Sequence, residues 1–320
     1  MNNRDPVSIV EVAPRDGFQA VKPHIPTSSK IDIIGALIDA NLRRLEVGAF
    51  VSPKVIPQMA DTAEVHLALA KREDLANIRL STLVPNAIGA KNALAAGLTD
   101  LVFVLSASPA HNQSNVRRSV AESLVELGKV IELGREIEEF RLRVNIATVF
   151  DCPFAGRVPE PAVLEIISRT LEKKFPVEFG LCDTTGRALP DQVGSLCAHV
   201  VDIFAQHRDI GWAFHGHDTY GLGVANALYA YDAGVRIFDA STAGLGGCPF
   251  APGASGNTAS EDLVFTFENM GVSTGVNLNK LIDATIMIVA LPGVDTGGHI
   301  RLLPRERICN LENDVNLKQL

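Results

Sequence analysis

VSIVEVAPRDG, from Val7 to Gly17, is the stretch from which the fold follows. An apolar, β-branched run, Val7–Val12, predicts a strand. It ends at Pro14 and delivers an Arg–Asp pair, Arg15 and Asp16, where a dinucleotide-binding sheet would carry its glycine fingerprint. Seven further runs have the same character: Arg44–Val47, Ile78–Leu83, Leu101–Leu105, Leu142–Thr148, Val177–Leu181, Trp212–His215 and Val235–Asp239. Amphipathic segments lie between them, with helices predicted at Ser28–Ala40, Ala87–Ala96, Ser119–Glu139, Glu160–Lys174, Gln192–Ala205 and Leu222–Ala233, and a last barrel helix at Ser260–Met270. Thr27 and the Pro190-Asp191 pair supply start signals for two of them. An open doubly wound sheet would show the same alternation. Eight units in about 270 residues favour a parallel sheet closed into a (β/α)8 TIM barrel of the α/β class.

The barrel is expected over residues 1–275. Residues 276–320 form a C-terminal extension with an extra helix at Leu278–Leu291 and a polar, irregular tail from Pro292 to Leu320, packed on the barrel. No linker rich in proline, glycine or serine marks a second domain. The chain has 320 residues, 47% of them hydrophobic, enough for a large core. A net charge of −8 without single-sign runs argues against nucleic acid as a partner, though placed Arg or Lys residues can still hold an anion. Five cysteines with no CxxC pair suggest reduced thiols. With neither a signal-like N-terminus nor an apolar run long enough to span a membrane, the expected location is the cytoplasm.

Strand ends in a parallel barrel share one face, where active sites form. Arg15 and Asp16 follow the first strand, Glu46 ends the second and Asp183 follows the sixth. His215 and His217 end the seventh, and Asn257 lies in the glycine-rich loop after the eighth. In His215-Gly216-His217, positions i and i+2 of a strand point to one side, so both imidazoles can face one ion. Alone the motif also fits two hydrogen-bonded histidines; with Asp16 and Asn257 on the same rim it reads as a metal set. Two imidazoles, a carboxylate and an amide oxygen leave two positions open on an octahedral ion, which suits Mg2+ or Mn2+ better than a closed zinc site. Glu46 reads either as a site carboxylate or as a buried salt bridge, with Arg44 as partner. Asp183 reads either as a site residue or as a cap. Cys248, inside GLGGCPFAPGASGN, has the loop setting of a reactive thiol; the other cysteines read as small buried hydrophobes.

Four blocks resemble the 3-hydroxy-3-methylglutaryl-CoA lyase family: EVAPRDGFQ (Glu11–Gln19), LEVGAFVSPKVIPQMAD (Leu45–Asp61), FHGHDTYG (Phe214–Gly221) and AGLGGCPFAPGASGN (Ala243–Asn257). The likeness continues through ASEDLV and TGVNLNKL and covers nearly the whole chain in order. The Arg–Asp and His-x-His blocks are shared with barrel synthases that condense acetyl-CoA with oxo acids; the cysteine loop is specific to the lyases. The resemblance implies cleavage of 3-hydroxy-3-methylglutaryl-CoA to acetyl-CoA and acetoacetate, with citramalyl-CoA or another 3-hydroxy-3-alkylglutaryl-CoA as the alternative substrate. It implies an acyl-CoA ligand, a divalent cation held by Asp16, His215, His217 and Asn257, and a homodimer. Arg15 would stabilise the thioester enolate, Glu46 and Asp183 would complete the polar site, and Cys248 would act as acid on a closing loop. The general base is left between Asp16 and a histidine.

The chemistry agrees with these residue types: a retro-aldol cleavage needs the tertiary hydroxyl deprotonated and the enolate charge held. No strand-like run contains the lysine a Schiff-base aldolase needs. Amidohydrolases place HxH on an early strand and need further metal-binding histidines, whereas here only His299 follows it. Departures from the family pattern fall at Ala20-Val21, where an Asn-Glu pair is typical, at Ala49, usually serine, at Gly216, often Cys or Phe, and at Arg187 in DTTGRALP. They are expected to bear on which acyl group is accepted.

Overall fold

Eight parallel strands close on themselves in a computed structural model that describes residues 4–247 and 256–309. They are β1 (Ser8–Glu11), β2 (Arg44–Ala49), β3 (Arg79–Val84), β4 (Asp100–Ser106), β5 (Arg141–Ala147), β6 (Val177–Asp183), β7 (Ile210–Gly216) and β8 (Ile237–Ala240). Each pairs with its sequence neighbours, and β1 closes on β8 in the register Ser8 to Ile237. The fold is the expected TIM barrel. Apolar side chains alternate along the strands, as with Leu101, Phe103 and Leu105 of β4 and Leu142, Val144 and Ile146 of β5, all buried in the core.

The other strand face fills the lumen, and much of it is charged. Arg143 of β5 reaches Asp239 of β8 through two parallel bonds of 2.7 and 2.8 Å, while its Nε donates to Asn145 at 2.7 Å. Arg44 of β2 holds Glu178 of β6 at 2.7 and 3.0 Å. These strands are not neighbours, so the pairs cross the barrel interior. A guanidinium fork matched to a carboxylate is the geometry that makes burial of both charges tolerable. Glu46 is thus not the partner of Arg44. Gly180 leaves the room: a Cβ there would lie 2.1 Å from Asn145 Oδ1.

Outside the strands run α1 (Thr27–Asp39), α2 (Thr62–Leu69), α3 (Ala87–Ala95), α4 (Val120–Gly134), α5 (Glu160–Leu171), α6 (Pro190–Ile203), α7 (Gly223–Asp232), α8 (Ser260–Asn269) and α9 (Leu278–Val289). Helix α4 starts on a capping box between Ser119 and Glu122. It stops at Gly134, five residues before the predicted end, because Phe140 folds back onto that glycine and a Cβ there would lie 2.2 Å from its ring. Thr27 does not cap α1. It is the first helical residue, and its hydroxyl donates to Asp61 at 2.8 Å. In α6, Pro190 begins the helix and Gln192 reaches back to the Leu189 N–H at 3.1 Å. Helix α9 packs against α1, with Leu281, Ala284 and Ile288 buried. Beyond it the chain is less irregular than expected: it makes short helical turns at Ile300–Leu302 and Arg305–Cys309. The Asp262 carboxylate clamps this segment through the N–H groups of His299 at 2.9 Å and Ile300 at 2.8 Å. No described helix is long and apolar enough to cross a membrane.

Removing one partner of a buried ion pair leaves the other charge uncompensated. Arg143→Leu is therefore expected to lower the unfolding free energy by about 3–5 kcal/mol, seen as a fall in the urea midpoint.

Candidate active site

Immediately beyond β1, the APRDG segment (Ala13–Gly17) winds into one wide turn rather than an open loop. The N–H groups of Arg15, Asp16 and Gly17 all donate to the carbonyl of Val12, at 3.1, 2.7 and 3.3 Å. Such single π-type turns occur often at functional sites. This one buries both charged residues at the barrel mouth. Arg15 Nη1 donates to Asp16 Oδ1. Its Nη2 donates to Glu46 Oε2 at 3.0 Å, and Nε sits 3.0 Å from Oε1 at an angle unsuited to a hydrogen bond. The Glu46 salt bridge is thus with Arg15, inside the site.

His215 and His217 meet Asp16, their ligand-type atoms all within 4.8 Å of one another. Each imidazole has its Nδ1 engaged. His217 Nδ1 lies 2.9 Å from the Asp183 carbonyl, which can only accept, so Nδ1 carries the proton and Nε2 keeps its lone pair. His215 Nδ1 lies 3.0 Å from Asp239 Oδ2. Burial works against charge on Asp239, but Arg143 and His215 outweigh it and hold the carboxyl near 2, so it too accepts. A carboxylate or carbonyl behind a ligating imidazole is the usual support of a metal site. Burial, together with His215, holds His217 near 4, in its neutral ligand form. Burial alone would raise Asp16, yet Arg15 and the two histidines leave it below the usual carboxylate range.

Asn257 closes the set from beyond β8. Its Nδ2 donates to Asp16 Oδ2 at 2.9 Å and to the Leu245 carbonyl at 3.1 Å, while its Oδ1 is buried with no hydrogen-bond partner. An orphaned amide oxygen beside a carboxylate and two oriented imidazoles fits a hard divalent cation. Asp183 stands next to this group. Its Oδ2 accepts from the Ala188 N–H at 3.2 Å, Oδ1 has no partner, and burial lifts the carboxyl to about 6. Glu46, although paired with Arg15, is also raised, because burial outweighs the arginine. Cys248 lies outside the described residues. Cys152, Cys182 and Cys197 are buried, as expected of structural thiols.

Several supporting residues are absent from the sequence reading. Asp239 and Arg143 orient His215. Glu11, fully buried, accepts from the N–H groups of Ala13 and Thr242 at 2.9 Å and from the hydroxyls of Thr242 and Ser260 at 2.6 Å. It thereby ties β1 to the segment after β8. Glu261 accepts from the Ala243 N–H at 3.1 Å in the same region. The available signal was an acidic residue inside an apolar run, in SIVEV and VRIFDA.

The HMGL-like family matches residues 6–288. The chain belongs to that family. An HMGL-like lyase is what its relatives also indicate. It is 39% identical over 296 residues to the (R)-citramalyl-CoA lyase of Chloroflexus aurantiacus, covering 90% of this chain and 91% of that one. It is 38% identical over 290 residues to the hydroxymethylglutaryl-CoA lyase of Pseudomonas mevalonii, covering 90% and 93%. Among solved structures, an HMG-CoA lyase from Acenitobacter baumannii in complex with coenzyme A and 3-methylmalate superposes with a TM-score of 0.85 at 36% identity, covering 97% of each chain. Among the buried acids outside the cluster of Asp16, His215, His217 and Asn257, Glu261 is open to a clean test. Burial pushes Glu261 from its ordinary 4.5 to about 8, so folding favours its neutral form. Its contribution is fully present below pH 4.5 and is lost as pH rises through about 8. Melting curves should therefore show the wild type losing ground to Glu261→Gln between pH 5 and 9.

Proposed function

We propose that this lyase cleaves 3-hydroxy-3-methylglutaryl-CoA to acetyl-CoA and acetoacetate. The observation that carries the reading is the convergence of Asp16, His215 and His217 at the mouth, with both Nδ1 atoms committed elsewhere. A divalent cation, Mg2+ or Mn2+, held by these three and Asn257 Oδ1 would polarise the substrate's tertiary hydroxyl and lower the cost of its deprotonation. Coenzyme A in the Acenitobacter baumannii enzyme supports an acyl-CoA as the ligand. The free, buried thiols of Cys152, Cys182 and Cys197 accord with action in the cytoplasm.

The chain's own residues supply the rest. Asp16, kept ionised by Arg15, and Asp183, poised near 6, are the carboxylates beside the metal set that can take the hydroxyl proton. As the hydroxyl becomes a carbonyl, the C2–C3 bond breaks and its electron pair passes into the thioester as an enolate. Arg15, fixed by Asp16 and Glu46, offers a pre-oriented positive charge to that oxygen at no reorganisation cost. Cys248, on sequence grounds, returns a proton to the enolate carbon and completes acetyl-CoA.

A second reading is favoured by the 39% identity to the Chloroflexus aurantiacus enzyme: cleavage of (R)-citramalyl-CoA, which would release acetyl-CoA and pyruvate by the same bond rupture. Comparing kcat/KM for the two esters decides between them, and failure of both to yield acetyl-CoA overturns the assignment.

Two variants separate the roles. Asp16→Asn should weaken Mn2+ binding in calorimetry and cut kcat by orders of magnitude, and exhaustive chelation should abolish turnover until Mg2+ or Mn2+ is returned. Cys248→Ser should fold normally and lose activity in kcat rather than KM, because a hydroxyl is a far poorer acid than a thiol in a step that comes late. An unchanged kcat would make the thiol a bystander.

A further inference from the structure

Four places where the chain departs from the family pattern were expected to touch the acyl group, and the structure separates them. Val21 and Ala49 are buried in the core at 5% and 2% exposure, Val21 giving its carbonyl to Gln58 and Ala49 its N–H to Thr62. Gly216 abuts the Phe214 ring, which a Cβ would meet at 2.8 Å. Arg187 differs. Its guanidinium stands at the mouth, with the side chain 53% exposed.

The backbone that carries Arg187 is fixed against the metal set. After β6 the chain turns around Asp183, whose carbonyl accepts from the Gly186 N–H at 3.3 Å and whose carboxylate accepts from the Ala188 N–H at 3.2 Å. Gly186, at φ +68°, lies so close to the segment after β7 that a Cβ would sit 3.1 Å from the His217 carbonyl. From there Arg187 Nε donates to the Tyr220 hydroxyl and Nη1 to Asp151 Oδ1, both at a long 3.3 Å. Nη2 has no partner among the described residues. Arg143 is spent on buried Asp239, and Arg15, tied to Asp16 and Glu46, is assigned to the thioester oxygen. An anionic acyl group entering beside Asp16, Glu46 and Asp183 needs a cation with a free edge.

Building on the function proposed above, we propose that Arg187, steadied by Tyr220, is a specificity residue that seats the carboxylate of the substrate's acyl chain, the end that departs as the oxo acid. The existing contact to Asp151 is an exposed ion pair of little worth, whereas a carboxylate arriving on the free edge can bond at about 2.7–2.9 Å. The seat lies on the loop that follows Asp183 and packs, through Gly186, against the segment after His217. The phosphates of coenzyme A sit at the far end of the pantetheine arm.

Steady-state kinetics of the wild type, R187Q, R187K and D151N, with free coenzyme A as inhibitor, test this. R187Q should raise KM for 3-hydroxy-3-methylglutaryl-CoA by between about tenfold and a hundredfold, with kcat held within a few fold. R187K should recover part of the loss, D151N should lower KM by releasing the guanidinium, and the inhibition constant of coenzyme A should not move. An unchanged KM in R187Q overturns the proposal. So does an equal rise in the coenzyme A constant, which would assign the arginine to a phosphate, or a fall in kcat with a lowered melting temperature, which would make its role structural. Calorimetric binding of acetoacetate to wild type and R187Q reads the seat without turnover. If the wild type cleaves no ester yet loses acetoacetate affinity in R187Q, the functional reading fails and the seat stands; equal affinity overturns the seat.

Discussion

The Arg143 guanidinium, locked onto Asp239 across the lumen while Asp239 holds His215, is the contact on which the rest of the site depends. Barrel interiors are commonly filled by layers of branched aliphatic side chains. Here two arginines from β2 and β5 answer two carboxylates from β6 and β8, Arg143 through a fork and Arg44 through one nitrogen shared between both oxygens. Charges removed from water tolerate little error in distance or angle. The same pairing that keeps the lumen intact therefore fixes the imidazole above it. Stability and alignment of the site rest on shared atoms, and a residue such as Gly180 answers to both.

Above this layer every donor at the mouth is held from behind. The wide turn after β1 hangs three N–H groups on one carbonyl and so places Arg15 and Asp16 side by side. Glu46 takes the other edge of Arg15, and the Asp183 carbonyl fixes His217. Glu11 binds the first strand to the segment after the last. Among the atoms left without a partner, the histidine Nε2 atoms and Asn257 Oδ1 are ones a divalent cation would use. Geometry set by a supporting shell in this way is prepared before any ligand arrives.

Much of this was legible. β-branched runs and the spacing of the helices give eight βα units, and the i, i+2 rule places both histidines on one side of β7. What failed to show had physical reasons. Glu11, Arg143 and Asp239 look like interruptions of apolar strands, because sequence does not reveal that strands far apart supply their partners. Glu46 reads in sequence as a candidate partner of Arg44, but Arg44 is engaged with Glu178 across the lumen and Glu46 with Arg15. The early end of α4 depends on where Phe140 folds, and Thr27 is drawn from its cap position by Asp61. Val21 and Ala49 occupy loop and strand-end positions that suggested a pocket wall, yet tertiary packing places them inside. Arg187 alone kept a polar head at the rim.

The hydrogen bond from Asn257 to Asp16 spans 241 residues of chain. Its partners stand on either side of the seam where β8 meets β1, so the contact cannot exist in any partly formed barrel. A chain lacking its last strand would lack Asp239 behind His215 and Asn257 beside Asp16, and contacts this remote in sequence slow the closing of a fold. A ligand gripping both sides of the seam would act as a staple, favouring the shut ring over the open sheet by mass action. The bond that completes the site and the pairing that completes the ring thus lie on one seam.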